Sequence, residues 1–345
     1  MRPDPLAVVL VLTVAACGRD AASPTAAAEA IEACATAAPV GGRPLRVATT
    51  VAPITSIVAH LAAGTDTAVV GVVPEGTNSH TFEPSPSQVA ALDGADVVFL
   101  NGLQLEEPTR RLAEANTADE STICELGTAV LPEEAYRYDV SFPEDAGKPN
   151  PHLWTDPLLA GAYAELAADV LRAADPGDAA AYAANLTTFR ARIEALDAAL
   201  RAGTASIPEE ERLLLTYHDA YAYWAAHYGW TVVGAIQPAS FGEPTPREVA
   251  GLIEQIDALG VEAVFGSEVF PSPVLEQLAR ESGATYVDDL RDDDLPGAPG
   301  DADHSLLGLL RFNFVTMIEA IGGDASALRA LDISAVGQDR ATYPQ

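Results

Sequence analysis

Positive charge is what this sequence has least of. Its 345 residues carry 19 Lys and Arg against 50 Asp and Glu, a formal net charge of −31. A polyanion repels phosphate backbones and anionic headgroups, which excludes nucleic acid and an anionic lipid surface as partners. Long apolar runs are missing as well. The stretch Leu6–Ala16 is far short of the about 20 residues that span a bilayer. Cysteine is scarce, with residues 17, 34 and 124 only. No HExxH helix pair is present, so a familiar zinc-hydrolase arrangement is lacking. No strong internal repeat shows at residue level. Apolar residues, in contrast, make up 48% of the chain, ample for two cores of ordinary size.

The basic start Met1-Arg2, the short apolar run and Val14-Ala15-Ala16-Cys17 together describe an export signal. A cysteine directly after small residues resembles a bacterial lipobox, which makes Cys17 the lipidated N-terminus; an ordinary signal peptide cut nearby is the alternative. Both place the protein outside the cytoplasm, lipid-anchored to the cell membrane or periplasmic. In that oxidising setting Cys34 and Cys124 are expected to be bridged rather than to remain two free thiols.

The pattern divides the chain into a signal (1–17), a tether rich in Ala, Ser, Thr and Pro (18–44), a first lobe (45–157), a helical segment (158–204), a second lobe (205–330) and a tail (331–345). Strand-length apolar runs at Leu45–Thr50, Ala68–Val73, Val97–Leu100 and Thr122–Glu125 alternate with helical stretches, and Ser87 is a candidate helix cap. The alternation returns at Arg212–Tyr217, Thr231–Ile236, Ala263–Gly266 and Thr285–Val287. Strand and helix in succession mean a parallel sheet with helices on its faces. Between the two sets, Asp178–Ala202 carries an apolar stripe of Leu186, Phe189, Ile193, Leu196 and Leu200, a core helix or a spine between lobes. The expected fold is therefore α/β: two similar lobes, each a roughly four-stranded parallel sheet, joined by one long helix, with a site in the cleft between them. The segment Asp292–Asp303, rich in Gly, Pro and Asp, reads as a loop.

Ligands of parallel α/β sheets sit beyond the carboxyl ends of strands. His80 follows the second strand, His218 follows Tyr217, and Asp288 follows Val287. His152 lies in Asn150-Pro-His-Leu-Trp-Thr-Asp-Pro157, where two prolines stiffen the loop that mounts it. Three imidazoles and a carboxylate suit tetrahedral Zn²⁺; a bidentate Asp288 would instead favour Mn²⁺, which takes more oxygen ligands. His60 and His227 fall on predicted helices and read as structural. His304 is a candidate outer or lid residue, Glu243 and Glu268 are candidate outer partners, and Trp154, Tyr217 and Tyr221 read as wall and core.

Several stretches resemble one family: His80-Thr-Phe-Glu-Pro-Ser-Pro-Ser, the Asn150–Pro157 segment, His218-Asp-Ala-Tyr-Ala-Tyr-Trp with Tyr228-Gly229, Phe241-Gly-Glu-Pro-Thr-Pro, and Tyr286-Val-Asp-Asp-Leu. These resemble the zinc- and manganese-specific substrate-binding proteins of ABC transporters, in order, from about Leu45 to Gly323. The resemblance implies two lobes on a single long helix, a metal held by His80, His152, His218 and Asp288, delivery to a permease and its ATPase, and a monomer. A histidine at 218 is closer to the zinc branch. The region Glu133–Lys148 has acids but none of the histidines of many zinc members, and Asp289 stands where the family has serine, which leaves the choice between Asp288 and Asp289 open. The expected function is a high-affinity Zn²⁺ receptor, with a manganese receptor of the same family as the alternative. A zinc-dependent hydrolase, with Glu268 or Asp219 as base, is the rival of a different class.

Overall fold

The computed structural model describes residues 25–118, 121–237, 244–267, 272–334 and 341–344. Two four-stranded parallel sheets form, with strand orders β2-β1-β3-β4 and β6-β5-β7-β8. The first is built of β1 (Arg46–Thr49), β2 (Ala68–Gly71), β3 (Val97–Leu100) and β4 (Thr122–Glu125). The second is built of β5 (Leu213–Thr216), β6 (Thr231–Ala235), β7 (Ala263–Ser267) and β8 (Thr285–Leu290). The order is the same in both, so the kinship of the lobes is one of topology. Every residue of β3 and β7 is buried, as strands covered on both faces by helices must be.

In the first lobe the helices are α1 (Ala26–Cys34), α2 (Ala52–Leu61), α3 (Pro86–Asp93), α4 (Glu107–Asn116) and α5 (Leu126–Val130). Then come α6 (Pro157–Ala174) and α7 (Ala179–Ala205), and in the second lobe α8 (Ala222–Tyr228), α9 (Pro246–Leu259), α10 (Pro273–Ser282), α11 (Leu306–Ala320) and α12 (Ser326–Arg329). The proline-serine run before α3 works as expected but two residues earlier: Ser85 caps, with Gln88 closing the capping box.

The long helix α7 has 27 residues, about 40 Å at 1.5 Å per residue. Its stripe Phe189, Ile193, Leu196 and Leu200 is buried. It packs against α2 of the first lobe and against α11 and α12 of the second. Asn185 Nδ2 donates to the carbonyls of Leu61 and Ala63, satisfying acceptors left over at the end of α2. One hydrophobic cluster runs through both lobes, from Val47 and Phe99 through Trp154 and Phe189 to Trp224 and Phe314. Lobes that share a core move against each other by small tilts, since wide opening would expose that surface to water.

Three expectations are modified. The stretch predicted as a tether contains α1, whose Ala27, Ala30 and Cys34 are buried against the first lobe. Thr25 caps this helix, and Cys34 is disulfide-bonded to Cys124 on β4, as the cysteine count implied. The predicted tail is not wholly loose: Thr342 pairs in parallel with Val70, so the chain returns to the first lobe and covers the edge strand β2. Finally, β8 does not end at Val287 but continues to Leu290, with a register shift between Phe265 and Ser267 of its neighbour that absorbs the extra residue. The signal and Cys17 lie outside the described residues, as do Phe241, Glu243 and Glu268. Among the described residues, no helix is long and apolar enough to cross a membrane.

Candidate metal centre

Each of the three expected histidines leaves its lobe from a turn at the carboxyl end of the sheets. His80 lies on the segment after β2, His218 directly after β5, and His152 in the proline-framed loop that leads through a short 3₁₀ turn (Leu153–Thr155) into α6. They converge. His152 Nε2 is 3.2 Å from His80 Nε2 and 3.3 Å from His218 Nε2. The three ring centroids stand 4.9–5.1 Å apart. His152 and His218 are buried and His80 half-buried, so the cluster meets the outside on the His80 side. A cavity of about 210 Å³ adjoins His80 there, walled by Leu105, Phe142, Lys148 and Pro151 among others.

Asn150 dictates the chemistry of His152. Its amide nitrogen donates to the Asp139 carboxylate and to the Asp219 carbonyl, 2.8 and 2.7 Å away. Its oxygen is thereby identified as the acceptor for His152 Nδ1, at 2.8 Å. Nδ1 then carries the hydrogen and Nε2 presents a lone pair to the centre of the cluster, the arrangement that orients a metal-binding imidazole. At His218 the Asp139 charge and the neighbouring Gln237 side chain oppose the effect of burial. Phe142 covers all three rings, its centroid 5.5–5.6 Å from each. Burial pushes His80 and His152 well below the usual imidazole range and His218 down to about 4, and the neighbouring imidazoles push His80 and His152 further. All three are therefore neutral near pH 7, the form that binds a cation.

The carboxylates grouped with His152 are not the one expected. Asp288 lies inside β8, is exposed, and is not among the groups brought together. Because β8 runs on to Leu290, the residues beyond its carboxyl end are Arg291 and the buried Asp292, Asp293 and Asp294. Ligand atoms of Asp292 and Asp293 lie within 4.8 Å of one another and of His152. Ser79, the neighbour of His80, donates its hydroxyl to Asp293 Oδ2, while Asp293 Oδ1 and Asp292 Oδ1 are buried without a hydrogen-bond partner. Burial raises Asp292 to about 6, and burial with the adjacent Asp292 charge raises Asp293 well above the usual carboxylate range. Carboxylates desolvated in this way are stabilised by a cation. The side chain of Asp289 lies outside the described residues.

Other groups sort as follows. Trp154 packs edge-on to His152 at 5.1 Å and donates its indole N–H to the Asp292 carbonyl at 2.8 Å, so this wall residue also ties the acidic turn to the histidine loop. Tyr221 donates to the Arg291 carbonyl at 3.1 Å, and Tyr217 is buried. His60 and His227 are structural as expected: His60 Nδ1 meets the Ser56 carbonyl at 3.1 Å, and His227 Nδ1 meets the helix-capping Asp156 at 3.0 Å. The sequence reading passed over Asn150, Phe142, Ser79 and the aspartates at 292 and 293. Its signal for the last two was present as a triple-Asp run read as loop.

Set on this geometry, comparison with known proteins decides the family. Residues 47–320 match the family described as zinc-uptake complex component A, periplasmic. The chain belongs to that family. It is 27% identical over 280 residues to the manganese-binding lipoprotein MntA of Halalkalibacterium halodurans, covering 81% of this chain and 89% of that one. It is 28% identical over 278 residues to the iron-binding protein YfeA of Yersinia pestis, covering 80% and 86%. Among solved structures, the periplasmic zinc binding protein TroA from Treponema pallidum superposes with a TM-score of 0.73 at 24% identity, covering 81% of this chain and 99% of that one, which confirms the two-lobed fold. The chain is accordingly a metal-binding receptor of an ABC transporter and not an enzyme, and the hydrolase alternative is set aside.

Proposed function

We propose that this protein captures Zn²⁺ outside the cytoplasm with His80, His152, His218 and Asp293, and delivers it to an ABC permease driven by its ATPase. The observation that carries the reading is the spacing of the three Nε2 atoms. Zinc–nitrogen distances of about 2.0–2.1 Å set a tetrahedral edge of about 3.3–3.4 Å. The two nitrogen–nitrogen distances at His152, 3.2 and 3.3 Å, are close to that edge. Asp293, which is grouped with the shared His152, is the candidate to close in on the fourth position, with Oδ2 held by Ser79 and Oδ1 unpartnered. A lipid on Cys17 as anchor and a monomeric body complete the proposal.

One observation favours Mn²⁺ as a second reading. Asp292 and Asp293 both lie beside His152, and two carboxylates suit a harder ion with more ligands. The test is a competition titration on the metal-free soluble chain from Gly18 onward, which keeps α1 and its disulfide. Tight one-to-one zinc binding that excess Mn²⁺ does not displace supports the zinc receptor. Comparable manganese binding transfers the assignment to manganese. Zinc affinity unaffected by His218→Ala would refute the site.

A further inference from the structure

The segment 132–148, which has acids but no histidine, runs mostly over the surface. Tyr138 and Val140 are exposed, and within the segment only Ser141 and Phe142 are buried. The bonds that hold this inward dip converge on Asp139. Its Oδ1 accepts from the Ser141 and Phe142 N–H groups at 2.8 and 3.0 Å, and its own N–H donates to the Phe142 carbonyl at 2.9 Å. Both backbone polar groups of Phe142 are thereby satisfied. Ser141 donates its hydroxyl to the Gln237 carbonyl of the second lobe at 3.3 Å. Asp139 Oδ2 takes the Asn150 amide, so the residue that fixes Phe142 is tied to the one that orients His152.

The phenyl ring lands on the three histidines. It meets His152 and His218 edge to face, at 62° and 78°, and lies tilted over His80 at 36°. Phe142 also walls the cavity of about 210 Å³ beside His80. On that side the cluster is met by hydrocarbon, which offers an ion no lone pair and a water no hydrogen bond.

We propose that Phe142 is a specificity-determining residue that caps the three histidines, keeps water from the bound ion, and so selects a four-coordinate ion over one that retains waters. The proposal rests on the ligand set given above. Zn²⁺ exchanges its waters for four protein ligands, whereas Mn²⁺ takes more oxygen ligands, water among them. The acids beside His152 do not by themselves turn manganese away, because carboxylates suit it. Discrimination then falls to the apolar cover, which controls the access of solvent to the site.

The experiment measures Zn²⁺ and Mn²⁺ affinities of the soluble chain from Gly18 onward for the wild type, Phe142→Ala and Phe142→Leu. It also records the visible absorption of each chain loaded with Co²⁺, whose bands are intense in four-coordination and weak once waters add to the ligands. The wild type is expected to prefer zinc and to show intense bands. Phe142→Ala opens space beside the cavity that waters, each about 30 Å³, can enter. Its preference for zinc over manganese should fall about tenfold or more, and its Co²⁺ bands should weaken. Phe142→Leu keeps a smaller apolar cover, should fall between the two, and carries the test if Phe142→Ala does not fold. Variant bands as intense as those of the wild type, or a metal preference that does not move, overturn the cap while the receptor stands. Weak Co²⁺ bands in the wild type overturn it without any variant. A wild type that holds zinc and manganese equally overturns the cap together with the zinc assignment, and one that binds neither overturns the receptor as well.

Discussion

Asn150 decides which nitrogen of His152 carries the hydrogen. Its own amide is committed to Asp139 and Asp219, so it offers His152 only an oxygen. Asn150→Ala removes that acceptor and leaves the imidazole free to turn or to change tautomer. Loss of such an outer partner costs about 10–100-fold in metal affinity. The competition titration should show that loss with the fold intact by circular dichroism; an unchanged affinity would mean that His152 is oriented by its loop alone.

Asp288 and Asp293 are separated by the end of β8, and the two positions predict opposite results. Asp293→Asn takes a ligand from the site and should weaken zinc binding by at least about a hundredfold, more than an outer partner costs. Asp288→Asn changes an exposed strand residue and should leave affinity within about twofold. The reverse outcome would return the fourth ligand to the strand.

Metal binding should expel protons. The histidines are already neutral near pH 7, having been pushed below their usual range by burial. The acids are shifted the other way, Asp292 to about 6 and Asp293 well above the ordinary range, so the metal-free site retains a carboxyl proton near pH 6 that a bound cation displaces. Zinc affinity, and the rise in melting temperature on adding zinc, should therefore increase from about pH 5 to about pH 7.5. Calorimetry near pH 6 in buffers of different ionisation enthalpy should report net proton release. Heats independent of buffer would contradict the shifted carboxyls.

Linkage also fixes the sign for the metal-free protein. Histidines with a lowered folded pKa bind fewer protons folded than unfolded, so their contribution is lost as pH falls below about 6.5. Raised carboxyls do the opposite, costing stability as pH climbs from about 4 through Asp292 at about 6 to Asp219 at about 8. Asp219→Asn should therefore stabilise the metal-free chain more at about pH 8 than at about pH 5, as read from denaturant midpoints. A benefit that is the same at both values would show that the carboxyl is not strained by its burial.

The Cys34–Cys124 bond closes a loop of 90 residues. On the chain-entropy account, replacing both cysteines by serine should cost about 3–5 kcal/mol of stability. Zinc affinity should hardly change, because neither cysteine touches the cluster. A variant that keeps its stability would mean that α1 is fixed by packing alone.

Most of the architecture was legible because parallel strands buried on both faces are written as short continuous apolar runs, such as Val97–Leu100, which the structure reproduces residue for residue. The three histidines were legible for a related reason, each standing beyond a strand or between prolines. The acidic turn beyond β8 was harder to read. Two aspartates in succession disfavour a strand, so the run seemed to end at Val287. A bulge lets β8 carry them, and bulges depend on the partner strand rather than on the local sequence. A turn or two of helix was legible at Ala28–Ala37, but its docking as α1 was not: an alanine-rich stretch has little apolar signal of its own, and it is tied by a bond to a residue 90 positions away.

That bond sets the length of a leash. With a lipid on Cys17, the chain available between membrane and folded body ends at Thr25, where α1 begins its cap, and not at Pro44 as composition implied. Eight residues reach at most about 26–29 Å when fully drawn out. The receptor would then search for its permease within a thin layer over the membrane, barely deeper than its own body, and lengthening the leash rather than altering the metal site would be the way to slow delivery without touching affinity.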